Sequence, residues 1–107
     1  MMKLAITARG YKAPERLKSY ITEKMKRLDR FADSIMDVEV ILSYEKLDQV
    51  VEFILRLNHK VIVVKERSED VFKSIDLAID KMEQQVVKTK AKIKDHDNKK
   101  IVENLVS

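Results

Sequence analysis

Apolar residues recur at helical spacing in the last third of the chain. Steps of three and four residues place five of them on one stripe of a helix: Phe72, Ile75, Ile79, Met82 and Val86. No Gly or Pro interrupts residues 68–94, so the pattern predicts one long helix there, with Ser68 as its N-cap. Such a helix is about 40 Å long, whereas a strand of about six residues spans about 20 Å. Its second half should therefore project beyond a small sheet on which its first half packs.

A second helical stripe lies near the N-terminus, after the single proline. Pro14 suits the first turn of a helix, and apolar residues then recur at helical spacing: Leu17, Ile21, Met25 and Leu28. Alternation of apolar and polar residues predicts four strands, at residues 3–8, 36–44, 51–58 and 61–64. Asn58 and His59 are predicted to form a hairpin turn, because Asn tolerates a positive φ.

The predicted elements follow the order strand, helix, three strands, helix. A four-stranded sheet with both helices on one face buries the apolar stripes, which gives a two-layer α+β domain of β-α-β-β-β-α topology. The other sheet face stays open to water and carries polar residues: Glu39, Ser43, Glu52 and Arg56. A chain of 107 residues fits one domain, predicted at 1–96, with residues 97–107 as a C-terminal tail.

The composition argues against several classes of function. With one glycine there is neither a phosphate loop nor a dinucleotide fingerprint, and without cysteine there is no thiolate chemistry. His59 and His96 have no metal-ligand spacing. We therefore expect no enzyme, no cofactor, no metal and no small-molecule substrate. No apolar run reaches the 18 residues of a membrane span and no signal-peptide pattern is present, so a cytoplasmic protein without membrane contact is expected.

Positive charge is concentrated in the second half of the long helix. The net charge of +4 is modest, but residues 81–100 contain seven lysines against three acids. Lys81, Lys88 and Lys92 lie opposite the apolar stripe, while Lys90 and Lys94 lie on the core side, beyond the reach of the sheet. On charge alone, a solubilising face that complements the helix dipole explains these lysines equally well.

Three cations of the first helix give a second indication. Lys24 falls within the apolar stripe, Arg27 lies on its flank, and Arg30 lies just beyond. If both helices share a sheet face, these residues can join the lysines of the long helix in one positive surface suited to phosphates. No glycine-and-aromatic motif for stacking splayed bases is present, so binding is expected to use backbone and shape.

At this point the residues match a known family. The matching segments are Glu69-Asp70-Val71-Phe72, Ile75-Asp76, Asp80-Lys81-Met82 and Gln85-Val86 in the long helix, and Lys24-Met25, Leu28 and Phe31 before it. Over roughly residues 2–96 the chain resembles the family of ribosome hibernation-promoting factors and ribosome-associated inhibitor A proteins, once called sigma-54 modulation proteins. Gln84 departs from the family, which often has Arg at this position.

The resemblance implies both a fold and a function. The family fold is similar in architecture to the double-stranded-RNA-binding domain. Family members bind the small ribosomal subunit in the mRNA–tRNA channel, contact its rRNA and block initiation without being enzymes. Basic rRNA-facing residues of the family correspond to Lys24, Arg27, Arg30, Lys81, Lys88, Lys90 and Lys92, and Lys94 extends this predicted RNA-binding set.

Three questions stay open at the level of sequence. The resemblance implies a short form that lacks a dimerising C-terminal domain, or else the N-terminal part of a long form. The weakly acidic tail favours the type that assists ribosome dimers. The isolated chain is expected to be a monomer, although open sheet edges leave room for a dimer. The alternative functions are a protein-binding regulatory module that uses the open sheet face, and a binder of free double-stranded RNA.

Overall fold

One four-stranded sheet forms the first layer of the structure. The computed structural model describes the backbone of residues 3–106 and the side chains of residues 3–89. The strands are β1 (Lys3–Ala8), β2 (Ile35–Glu45), β3 (Asp48–Leu57) and β4 (Val61–Ser68). They lie side by side in chain order, with β1 parallel to β2 and the other two pairs antiparallel. The predicted topology and α+β class are confirmed.

Two helices and a 3₁₀ segment form the second layer. They are α1 (Glu15–Met25), the 3₁₀ helix (Lys26–Ser34) and α2 (Val71–Val106). The sequence pattern predicts an α-helix that continues to a break at Asp33 and Ser34, but the chain tightens at Lys26. The tighter winding suits the sequence there, because Leu28 and Phe31 are three residues apart and both are buried, and a 3₁₀ helix has three residues per turn.

The core lies between the helices and one face of the sheet. The predicted stripe of α1 and the 3₁₀ helix is buried, from Leu17 to Leu28, and so is the stripe of α2 from Ile75 to Val86. The facing residues of β2, β3 and β4 are also buried, among them Phe53, whereas those of β1 are half-buried. Both amphipathic patterns therefore predicted the correct inward faces.

The start of α2 differs from the prediction. The helix begins at Val71, and the carboxylate of Asp70 caps it by accepting a hydrogen bond from the Phe72 amide at 2.9 Å. The expectation that Ser68 is the N-cap was wrong, because Ser68 ends β4. Its hydroxyl accepts a hydrogen bond from the Asp70 amide at 3.3 Å, donates to the Asp70 carbonyl at 2.6 Å and lies 2.7 Å from the Ser74 hydroxyl.

The far end of α2 extends well past the sheet. Thr89 is the last buried residue among the described side chains, and the helical backbone continues to Val106, a further distance of about 25 Å. The proposed boundary between residues 96 and 97 falls inside this helix, where the backbone shows no break.

The two hairpins close in different ways. Asn58 and His59 form the predicted turn, and the Leu57 amide donates to the Lys60 carbonyl at 2.7 Å. Positive φ was expected at Asn58, but in the described backbone the non-glycine residue that adopts it is Lys46, in the β2–β3 turn, with φ 59°. The open sheet face carries the predicted polar residues together with exposed Val61 and Val63. Arg56 on this face pairs with Asp37 at 2.7 Å and with Glu39 at 3.2 Å.

Candidate nucleic-acid interface

Opposite charges meet along the line where α1 and the 3₁₀ helix lie beside α2. The cations of α1 and the 3₁₀ helix are three residues apart. They lie opposite acids of α2 that are four and three residues apart, so each row follows one helix face. We call this set the cross-helix ladder: Lys24, Arg27, Arg30, Asp76, Asp80 and Glu83.

Arg27 is the centre of the ladder. Its Nη1 donates to Asp80 Oδ1 at 2.7 Å and its Nη2 donates to Glu83 Oε1 at 2.5 Å. Arg30 reaches the other oxygen of Glu83 at 3.5 Å. The hydrogen bonds to Glu83 and Asp80 raise the pKa of Arg27 above its ordinary value, so this guanidinium stays charged and fixed in direction.

Tyr20 and Lys24 form the first rung. The Tyr20 hydroxyl donates to Asp76 Oδ1 at 2.6 Å, and Lys24 Nζ lies 3.9 Å from the same oxygen and 5.4 Å from the centre of the Tyr20 ring. The hydrogen bond to Asp76, together with burial, raises the pKa of Tyr20 to about 12. Lys24 thus lies over an aromatic ring and beside a carboxylate, which explains a lysine within an apolar stripe.

The ladder changes the electrostatic character of the predicted surface. Lys24, Arg27 and Arg30 do come together, as the sequence predicted, and each stays at least 41% exposed. However, each also has a carboxylate within 4 Å, so the seam carries both signs of charge. A phosphate approaching Arg27 would have to share it with Asp80 and Glu83.

Lys81 lies apart from this seam. Its Nζ pairs with Glu66 of β4 at 2.5 Å, so it faces the strand on the other flank of α2. The structure therefore does not bring Lys81 together with the cations of the first helix.

Two other lysines lie where α2 leaves the sheet, and we call them the basic pole: Lys60 and Lys88. Both are exposed, and neither forms an ion pair with another described side chain. Lys60 Nζ lies 3.5 Å from the Thr89 hydroxyl, one residue from Lys88. The RNA-binding set predicted from the sequence does not include Lys60. Its position in the β3–β4 hairpin, which lies beside the end of the packed part of α2, is the feature that could have pointed to it. The side chains of Lys90, Lys92 and Lys94 lie outside the described residues.

The charge along α2 is segregated. All its acids up to Glu83 belong to the ladder, and the next acid in the sequence is Asp95. Between them lie four lysines and no carboxylate. Among the described residues, no group of three or more potential ligands could hold a metal ion, and no helix is long and apolar enough to cross a membrane.

Comparison with known proteins defines the family to which the chain belongs. Residues 4–94 match the family described as sigma 54 modulation protein / S30EA ribosomal protein, and the chain belongs to this family. The family expected from the sequence is therefore confirmed.

Individual relatives are similar along most of their length. The chain is 35% identical to the ribosome hibernation promoting factor of Azotobacter vinelandii, over 85% of both chains. It is 33% identical to that of Escherichia coli K12, over 89% of this chain and all of the relative. Among solved structures, a ribosomal subunit interface protein from Coxiella burnetii matches with a TM-score of 0.79 at 28% identity, covering 84% of this chain and 99% of that one. The Thermus thermophilus Protein Y N-terminal domain matches with a TM-score of 0.72 at 28% identity, covering 80% and 96%.

Proposed function

We propose that this protein is a non-enzymatic hibernation factor that binds the small ribosomal subunit through rRNA. In this proposal it acts in the cytoplasm and occupies the mRNA–tRNA channel, so that initiation is blocked sterically. The names of its relatives, hibernation promoting factor and ribosomal subunit interface protein, support a ribosomal partner. The rRNA contacts and the channel are our inference from family resemblance and charge.

The observation that carries the proposal is the segregated charge of α2. The acids of its first half are held by Lys24, Arg27 and Arg30, while Lys88 and Lys60 have no acid among the described side chains. A cation without a carboxylate neighbour can pair with a phosphate without competition. Each such contact releases counterions from the nucleic acid, which favours binding. The basic pole, continued by Lys90, Lys92 and Lys94, is therefore proposed as the main contact.

The ladder cations have a secondary role in this proposal. Arg27 and Arg30 are exposed enough to touch RNA, but their carboxylates oppose a nearby phosphate. We assign them to the edge of the interface, where they add a smaller electrostatic contribution. Lys81, paired with Glu66 on the other flank, is assigned to the margin on that side.

The experiment is co-sedimentation with ribosomes on sucrose gradients at low and high salt. The wild-type protein should migrate with the small subunit and with intact ribosomes at low salt and should dissociate at high salt. Lys60→Glu/Lys88→Glu should lose this binding while its circular dichroism melt stays nearly unchanged. The slope of log affinity against log salt should flatten by about 0.7 to 0.9 for each lost phosphate contact.

The matched control reverses two exposed lysines elsewhere. Lys65→Glu/Lys73→Glu makes the same change in net charge, at β4 and at the first turn of α2. It should retain ribosome binding. If both double variants lose ribosome binding equally, the loss is due to net charge. If Lys60→Glu/Lys88→Glu binds normally, the basic pole is not part of the interface.

Exposed apolar residues favour one alternative, a protein-binding module. Val61 and Val63, on the open face of the edge strand β4, are each 56% exposed. Binding there would depend little on salt, because apolar burial is not screened by ions. Val63→Ala would weaken it and would leave salt-sensitive ribosome binding unchanged.

A further inference from the structure

A pocket opens at the end of the molecule where α1 and α2 both begin. Its volume is about 430 Å³, within the range of small-molecule sites. Its walls include three aromatic rings, one amide and two cations: Tyr11, Tyr44, Phe72, Gln49, Lys12 and Arg16. We call it the aromatic pocket. Lys88 is 16 residues beyond Phe72 on α2, so the basic pole lies about 24 Å away.

The rings of the pocket come from three separate segments. Tyr11 and Tyr44 meet edge to face, with centroids 5.0 Å apart, and Tyr44 is 52% exposed. The Arg16 guanidinium lies over the Phe72 ring, 5.8 Å from its centroid. The sequence shows no motif for base stacking because these rings approach one another only in the folded chain.

The charges at the pocket nearly cancel. Lys12 and Arg16 stand against Glu69 and Asp70, and the Asp70 carboxylate is already engaged in capping α2. Several phosphates placed inside the pocket at once would meet repulsion from the two acids. A planar group with one adjoining negative charge fits better, since the planar group can stack on the rings while the charge lies near the cations.

Two polar side-chain groups belong to residues that line the pocket. The Gln49 amide can both donate and accept. The Tyr11 hydroxyl is buried and has no hydrogen-bond partner within the described structure, which is rare for a buried polar atom. Because this oxygen is itself buried, the polar group of the two that a ligand in the pocket can reach is the Gln49 amide.

We propose that the aromatic pocket binds one unstacked base of a single-stranded RNA segment, with the adjoining phosphate held near Lys12 and Arg16. The base stacks on the Tyr44 ring, and Gln49 hydrogen-bonds its edge. The inference rests on the proposed function insofar as the RNA is ribosomal, and it places a second RNA contact at the end opposite the basic pole. Its test requires no ribosome.

The probe is a hexamer of riboadenylate added to protein with ¹³C-labelled tyrosine rings. The chain has three tyrosines and no tryptophan, so each ring can be followed by NMR. Signals of Tyr11 and Tyr44 should shift most. The signal of Tyr20, whose ring meets the pocket only through Phe72, with centroids 4.8 Å apart, should shift less. Tyr44→Ala should weaken binding about 5- to 150-fold, the range of one base–aromatic stack.

The controls separate stacking from charge. A hexamer of the same length without bases carries the same phosphates and should not move the Tyr11 and Tyr44 signals. Lys60→Glu/Lys88→Glu should keep the ring shifts even where it loses ribosome binding. Equal shifts with the abasic hexamer, or no shifts with riboadenylate, would overturn the pocket while leaving the ribosome proposal intact.

Discussion

Arg27 and Glu83 are joined by a 2.5 Å hydrogen bond from Nη2 to Oε1, although 56 residues separate them in the chain. The contact holds the 3₁₀ helix against α2. It also pairs the Arg27 guanidinium with a carboxylate, where it would otherwise face solvent alone. A pair of this kind adds little stability when exposed, typically below about 1 kcal/mol. Its larger effect concerns what Arg27 can bind.

Releasing Arg27 should strengthen binding to polyanions. Asp80→Asn/Glu83→Gln removes both carboxylates that hold it. We expect tighter binding to heparin at low salt, with a steeper salt dependence, and a loss of unfolding free energy of about 1 to 2 kcal/mol at most. Heparin-column elution and urea denaturation measure the two effects.

The matched control removes the two carboxylates that hold Arg67. Glu45→Gln/Asp48→Asn makes the same change in net charge at the β2–β3 hairpin. Heparin elution should shift less for this variant. Equal shifts would mean that the position of Arg27 in the ladder gives it no advantage over a released arginine elsewhere.

The apolar stripe of α2 should carry much of the stability. Ile79 is fully buried and Leu77 is 37% exposed, on the same helix and two residues apart. Ile79→Ala should lower the unfolding free energy by about 2 to 5 kcal/mol, because it leaves a cavity. Leu77→Ala should cost about 1 kcal/mol or less. Urea denaturation followed by circular dichroism compares them, and similar losses would contradict the assigned inward face.

Alkaline pH should weaken the first rung of the ladder. Donation to Asp76 raises the pKa of Tyr20 from 10.0 to about 12, so folding favours the protonated phenol. This contribution is complete below pH 10 and is lost as pH rises through about 12. Absorbance at 295 nm should show a tyrosine that ionises late, and Tyr20→Phe should remove that late step. A titration unchanged in Tyr20→Phe would contradict the assignment.

Removing the Tyr11 hydroxyl should not destabilise the fold. The hydroxyl is buried and has no hydrogen-bond partner among the described residues, and this burial raises the pKa of Tyr11 above its ordinary value. Tyr11→Phe keeps the ring and removes an unsatisfied polar atom, so the unfolding free energy should stay the same or increase. Tyr44→Phe, at an exposed ring, is the control. A loss above about 1 kcal/mol in Tyr11→Phe alone would reveal a hydrogen bond formed in solution.

The elements of this fold could be predicted because their periodicity is local. The stripes at Leu17–Leu28 and Ile75–Val86 specified two helices and their buried faces. Their ends were less well predicted. Ser68 and Asp70 are both good capping residues, and the choice of Asp70 depends on β4 continuing through Ser68.

The candidate site was predictable only in part, for a physical reason. Positive charge at Lys88 is visible in the sequence, but the partner of a cation depends on how two helices are rotated against each other. The pairing of Arg27 with Glu83, and the approach of Lys60 to Thr89, arise from contacts between distant segments. The sequence therefore does not reveal the acids that share the seam, or the approach of Lys60 to the end of the packed helix.

The parallel position of β1 has a consequence for the order in which the fold comes apart. β1 lies at the sheet edge and, within the described backbone, pairs with β2 alone. It is connected to β2 through α1 and the 3₁₀ helix. The three remaining strands are joined by short hairpins, whose closure is entropically cheaper. Partial opening should therefore begin at β1, and its amides should exchange with solvent faster than those of the central strand β3.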